Sequence, residues 1–230
     1  MRISEFLSSE FSVKRDLNPA IWNNNQIIPE VKEKLLTIAR HFADYVDVDF
    51  PILDVVITGG MTGQYYTEHS DLDLHLITDY QKIDCDQEVE ELFDTKKNLY
   101  KREYDITIKG IPVELYVEDI NRPAIGGSYS LLRDKWLRKP SEPTKNIDSE
   151  LVQAQTDKLA SLLTKAFSLD DLDFLKKTKI FLWHYRKQGL AKEGEFGTAN
   201  LVFKSLRNLG LLDKLRNRIK ELENKSLSLK

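Results

Sequence analysis

Ile57-Thr58-Gly59-Gly60, then ten residues, then Asp71-Leu72-Asp73-Leu74-His75-Leu76-Ile77 is the stretch that decides the architecture. The second segment alternates strictly between polar and apolar residues, the period of a half-buried strand. Leu72, Leu74 and Leu76 fall on the core face, and Asp71, Asp73 and His75 share the other. Two carboxylates two residues apart on a strand point to the same side and reach a common cation. Two adjacent glycines let backbone amides approach an anion closely. A carboxylate pair beside such a loop is what metal-bridged phosphate chemistry needs.

Outward from this stretch the pattern is mixed. Ile52 to Ile57, β-branched and bounded by Pro51 and Gly59-Gly60, reads as a buried strand. Before it, Val31, Leu35, Ile38, Ala39, Phe42, Tyr45 and Val46 recur at three- and four-residue spacing, which predicts a helix starting at Pro29. After it, Val89, Leu92, Phe93 and Tyr100 predict a helix over 86–100, and 104–108 with 112–117 predict a hairpin turning at Lys109-Gly110-Ile111. Beyond Asp119 no segment has a convincing strand pattern. Breaks at 121–130 and 139–143 precede expected helices near 150–167, 171–187, 198–209 and 211–224, with Gly210 separating the last two. The expected fold class is α+β: a mixed sheet with helices over 1–120, followed by an all-helical part over 121–230.

Charge follows the same division. Residues 1–120 hold 12 Lys/Arg against 24 Asp/Glu, a net of −12, and 121–230 hold 22 against 13, a net of +9. An acidic half suits divalent cations and a basic half suits phosphates. One cysteine, Cys85, makes no internal disulfide, and His41, His69, His75 and His184 lack zinc-ligand spacing. No apolar run approaches the roughly 20 residues that span a bilayer, and the charged opening MRISEFLSSEF lacks the apolar stretch of a secretory signal. The expectation is a cytoplasmic protein without membrane contact.

A third carboxylate on a neighbouring strand would complete a cation cage, and Glu114, between Val113 and Leu115 in an alternating segment, is the best placed. Glu118 shares its face and competes for the role, nearer the strand end. Asp105 reads as solvent-facing and His75 as a rim residue. An isolated Asp-Leu-Asp is ordinarily wet sheet surface; the ordered company of Gly59-Gly60 and Glu114 favours a metal site. Magnesium, with manganese as the alternative, suits an all-oxygen set and takes only some ligands from protein.

At these residues the sequence resembles the DNA polymerase β-like nucleotidyltransferase superfamily, whose signature is an apolar strand, a Gly-Gly or Gly-Ser pair, about ten residues, an acidic-apolar-acidic-apolar strand and a later third acid. The resemblance covers about residues 30–120. It implies that Asp71 and Asp73 bind two Mg²⁺ ions and that Glu114 completes the catalytic one. It also implies that a nucleoside monophosphate, adenylate if the donor is ATP, passes from a nucleoside triphosphate to a hydroxyl acceptor with release of pyrophosphate. Gly60 stands where serine is common, so Ser70 or Thr62 would supply the lost hydroxyl. Glu114 stands where aspartate is commoner, which shifts its expected role toward general base. The phosphates would be cradled by Gly59, Gly60 and Ser70. In this resemblance the helical half closes over the nucleotide. Lys204, with Arg186, Lys187 and Arg207 as rivals, would hold the triphosphate, and Tyr129 would stack on the base. Trp136, Phe181 and Trp183 read as core. The acceptor is open among small molecules, oligonucleotides, a short RNA or tRNA end and a protein hydroxyl. Through Asp16-Leu17-Asn18-Pro19, Tyr104 to Val117, Tyr129-Ser130-Leu131-Leu132 and Gly189 to Leu206 the whole chain is similar to uncharacterised nucleotidyltransferase-like proteins of tailed bacteriophages, which would place it in a host cytoplasm. The rival reading is a catalytically silent nucleotide-binding or interaction module of a phage-type system.

Overall fold

The computed structural model describes residues 16–64, 66–83, 88–122, 126–140, 147–194 and 196–229. Cys85, the opening 1–15, the expected helix start at Asp86, Pro123 and 141–146 lie outside them. The described chain forms two compact units, one within residues 13–144 and one from 145 onward.

The first unit is built on a six-stranded sheet. Its strands are β3 (Asp54–Thr58), β4 (Leu72–Thr78), β5 (Thr107–Ile108), β6 (Ile111–Asp119), β7 (Ser128–Ser130) and β8 (Lys135–Arg138), in the order β5-β6-β4-β3-β7-β8. Only β4 and β6 run parallel. A small hairpin of β1 (Trp22–Asn23) and β2 (Gln26–Ile27) stands apart. Two helices, α1 (Pro29–Val46) and α2 (Val89–Glu103), complete the unit.

Alternation along the strands sorts the two sheet faces. Leu72, Leu74 and Leu76 are fully buried and join Val55, Ile57, Leu115 and Val117 in a core with Val31, Leu35 and Phe42 of α1 and Phe93 and Tyr100 of α2. Each such side chain stabilises by about 1.5–3 kcal/mol relative to exposure, so α1 forms without a capping side chain at Ile28. It stops at Asp47, whose left-handed φ of 57° ends the helical run. The tight turn joining β5 and β6 uses Lys109 and Gly110, both at positive φ, the geometry of a two-residue hairpin.

The expectation that strands end at Asp119 is corrected by β7 and β8. Ser128-Tyr129-Ser130 is three residues, too short to show a period, and Lys135-Trp136-Leu137-Arg138 is mostly exposed. What fixes them is pairing, Ile57 with Tyr129 and Tyr129 with Trp136, and an aromatic cluster in which Trp136 stacks on Trp22 at 4.9 Å.

The second unit is helical among the described residues: α3 (Ser149–Leu169), α4 (Leu172–Glu193), α5 (Thr198–Asn208) and α6 (Leu211–Leu227). Its core is separate, with Leu159, Leu163, Leu175, Leu182, Val202, Leu206 and Leu215 at its centre. Asp148 and Asp171 cap α3 and α4 by accepting from the amides of Leu151 and Phe174. No helix of the described residues is long and apolar enough to cross a membrane.

Candidate metal and phosphate site

Register on β4 assembles the site. Asp73 lies opposite Thr58 of β3 and opposite Glu114 of β6, while its neighbours Leu72 and Leu74 are in the core. Asp71, one step before β4, projects on the same side. One carboxylate oxygen from each of Asp71, Asp73 and Glu114 lies within 4.8 Å of the others, and all three residues are partly exposed. The donor set is oxygen only, which fits a hard divalent cation.

The carboxylates repel one another in this arrangement. Burial, then Asp71 and Glu114, push the Asp73 carboxyl up to about 7, against the pull of His75 and Lys97. Glu114 goes the other way. Burial works to raise it, but Lys101, which pairs with one oxygen, and the Tyr116 hydroxyl, which donates to the other at 2.9 Å, bring it below the usual range, with help from Lys97. Lys97 also sits 3.6 Å from the centre of the Tyr116 ring. Lys97, Lys101 and Tyr116 were not singled out from the sequence. Their signal was present: two lysines four apart on the helix preceding β6 share one face.

Gly59 is where the loop and the carboxylates meet. Its φ is +75°, and a Cβ built on it would lie 1.8 Å from Asp73 Oδ2. Only glycine meets both conditions. Gly60 is under neither constraint, and a Cβ there would face Ser70 Oγ at 3.7 Å. Ser70 therefore stands next to the position where a serine is common in the resembled family, and its oxygen accepts from the Thr67 amide at 2.9 Å. Thr62 does not fill that role. It is buried, and its hydroxyl lies 2.7 Å from the Gly59 carbonyl and 3.0 Å from that of Gly127, holding the loop closed.

Other residues singled out from the sequence fall elsewhere. Glu118 Oε2 is hydrogen-bonded to His75 Nδ1 at 2.7 Å, which holds the Glu118 carboxyl low, and His75 Nε2 lies 3.0 Å from the Thr58 hydroxyl. His75 also stacks on Tyr116. His75 and Glu118 thus form a pair alongside the triad. Asp105 is exposed. Tyr129 is not a stacking platform: it is 2% exposed, packed edge-on to Trp22 and Trp136, with its hydroxyl donating to Asp134 at 2.9 Å. Trp136 packs against the first core, but Phe181 and Trp183 are not core, being 48% and 52% exposed. Lys204 is partly buried on α5 of the other unit.

No protein-family model matches the chain, and no curated protein matches it. Among solved structures, a STING-associated CdnE c-di-GMP synthase from Capnocytophaga granulosa is similar at 13% identity, over 90% of this chain and 85% of that one, with a TM-score of 0.23. So distant a likeness fixes neither the fold nor the chemistry of this chain.

Proposed function

We propose that the protein is a divalent-metal-dependent nucleotidyltransferase, moving a nucleoside monophosphate from a nucleoside triphosphate to a hydroxyl acceptor. The observation that carries this reading is the convergence of Asp71, Asp73 and Glu114 on one point above a glycine whose lack of a side chain is required by Asp73. Those three carboxylates would hold the cation, Mg²⁺ or Mn²⁺. When bound, it neutralises phosphate charge and lowers the pKa of a coordinated hydroxyl.

The chain's own groups supply the rest. Gly59, Gly60 and Ser70 form the loop that receives phosphate oxygens, with Ser70 as hydroxyl donor. Glu114 acts as ligand rather than general base, because its hydrogen bonds to Lys101 and Tyr116 leave it a weak proton acceptor. In the reaction the acceptor oxygen bonds to the α-phosphorus and the bond from that phosphorus to the bridging β-oxygen breaks. Pyrophosphate leaves and the hydroxyl proton passes to solvent. A short RNA or tRNA end is the acceptor that suits the +9 charge of 121–230.

The test is incubation of the full chain with each of four α-labelled triphosphates and Mg²⁺, with and without RNA, followed by product analysis. Label transfer with release of pyrophosphate is expected, and it should vanish with EDTA and in Asp73→Asn. Transfer that persists in excess EDTA, or binding of triphosphate with no turnover under any condition, overturns the enzymatic reading.

A further inference from the structure

Helix α4 exposes Ile180 and Trp183, three residues apart on one side, at 56% and 52%, and large apolar groups clustered on a surface mark contact sites. Trp183 borders a groove of about 650 Å³ lined entirely by α4, α5 and α6. Its lining includes Phe203, Lys179, Arg186, Arg207 and Arg216 and contains no carboxylate. The size is that of a small-molecule site.

Two of the four cations lining the groove, Arg186 and Arg216, are held in place. Arg186 donates from Nε to Asn200 Oδ1 at 3.0 Å, and its guanidinium lies 4.8 Å from the centre of the Phe203 ring. Outside the lining, Lys187 holds its amine 4.9 Å from the centre of the Trp183 ring. Arg216 is paired with Asp213. Groups ordered before binding lose less freedom on binding.

The lining selects its ligand. A wholly apolar ligand would strip water from Lys179 and Arg207 and from two partnered guanidinium groups, and a bare inorganic anion would leave Trp183 and Ile180 wet. A planar ring that carries phosphate uses both halves: stacking on an indole and charge-assisted hydrogen bonds to guanidinium. We infer that this groove is a second ligand site, which takes a nucleotide unit, the base with its phosphate, either free or at the end of a single strand. No residue of it belongs to the first unit, so it stands whether or not the carboxylate site transfers nucleotides.

The test uses the full chain carrying Asp73→Asn, in EDTA, so that the carboxylate site contributes nothing. Binding of adenosine monophosphate, uridine monophosphate, an oligouridylate and inorganic phosphate is followed by tryptophan fluorescence, with the Trp183 signal assigned from Trp183→Phe. Saturable binding of a nucleotide or the oligonucleotide is expected, weakened about tenfold or more by Trp183→Ala and by Arg207→Glu. It should be unchanged by Lys158→Glu, an exposed position on α3 with the same change of charge. Binding of the monophosphates identifies the free nucleotide as sufficient; binding of the oligonucleotide alone identifies the strand end. Four results overturn the inference: no saturable binding of any probe, phosphate binding as tight as nucleotide binding, equal loss with Lys158→Glu, or a Trp183 signal that follows self-association alone.

Discussion

Asp73 carries the largest electrostatic conflict in the site. Its carboxyl is pushed up from 3.8 to about 7 by burial and by Asp71 and Glu114. A raised acid binds a proton in the folded state that the unfolded chain has released, so between these two values stability falls as pH rises. Asp73→Asn should therefore raise the melting temperature of the metal-free protein by a few degrees at pH 8 and by less at pH 5, where only part of the interval between the unfolded and folded values has been crossed. The same change should abolish stabilisation by Mg²⁺. Scanning calorimetry at the two pH values decides it: a loss of several kcal/mol at pH 8 would instead mark Asp73 as a member of a structural network. Glu114 and Glu118 separate by partner. Glu114→Gln should lower turnover more than triphosphate binding, while Glu118→Gln, which alters only the pair with His75, should change turnover by less than about threefold. Equal losses in steady-state kinetics would move the third ligand to Glu118.

At the scale of elements, the strand pattern was legible where one face is core and the other is not. Asp71 to Leu76 alternates without exception because α1 and α2 cover one face, and that alternation also placed the carboxylates. The spacing of Val31 to Val46 revealed α1 for the same reason, burial on one stripe. β7 and β8 were illegible because their order comes from partners far along the chain. Tyr129 is held by Ile57 and Trp22, and the Trp136 indole donates to the Asn25 carbonyl at 2.8 Å. The role of Lys101 exists only once α2 and β6 meet, whereas Tyr116 reaches Glu114 from two residues along the same strand. The glycine loop gives a prediction at this scale. Gly59→Ala places a methyl group into Asp73 at a backbone angle costing about 1–2 kcal/mol per residue. It should destabilise the protein by about 2 kcal/mol and remove Mg²⁺ binding, whereas Gly60→Ala, with 3.7 Å to Ser70, should fold as well as the parent. Denaturant titration with and without Mg²⁺ reads both effects, and equal behaviour of the two variants would refute the constraint.

Two cores with no member in common divide the molecule, one around Leu72, Leu74 and Leu76 and one around Leu163, Leu182 and Val202. The division of charge found in the sequence runs with it: every candidate metal ligand lies in the acidic part, and Lys179, Arg186, Arg207 and Arg216 lie in the basic part. A ligand that binds only the folded state stabilises what it binds, by an amount set by its concentration relative to Kd. Binding at Asp71, Asp73 and Glu114 removes the repulsion among strands β4 and β6 and the Gly59 turn, and leaves the helical core without a new contact. Mg²⁺ alone should therefore slow amide hydrogen exchange in peptides covering 54–62, 71–78 and 111–119, and leave 149–169 and 211–227 unchanged. Asp73→Asn should erase that protection. Adding nucleotide in EDTA should do the reverse, protecting 179–187 and 203–216 only. If Mg²⁺ protects both cores equally, the cation acts on the whole chain rather than at the carboxylates; if it protects the helices alone, the triad is not its site.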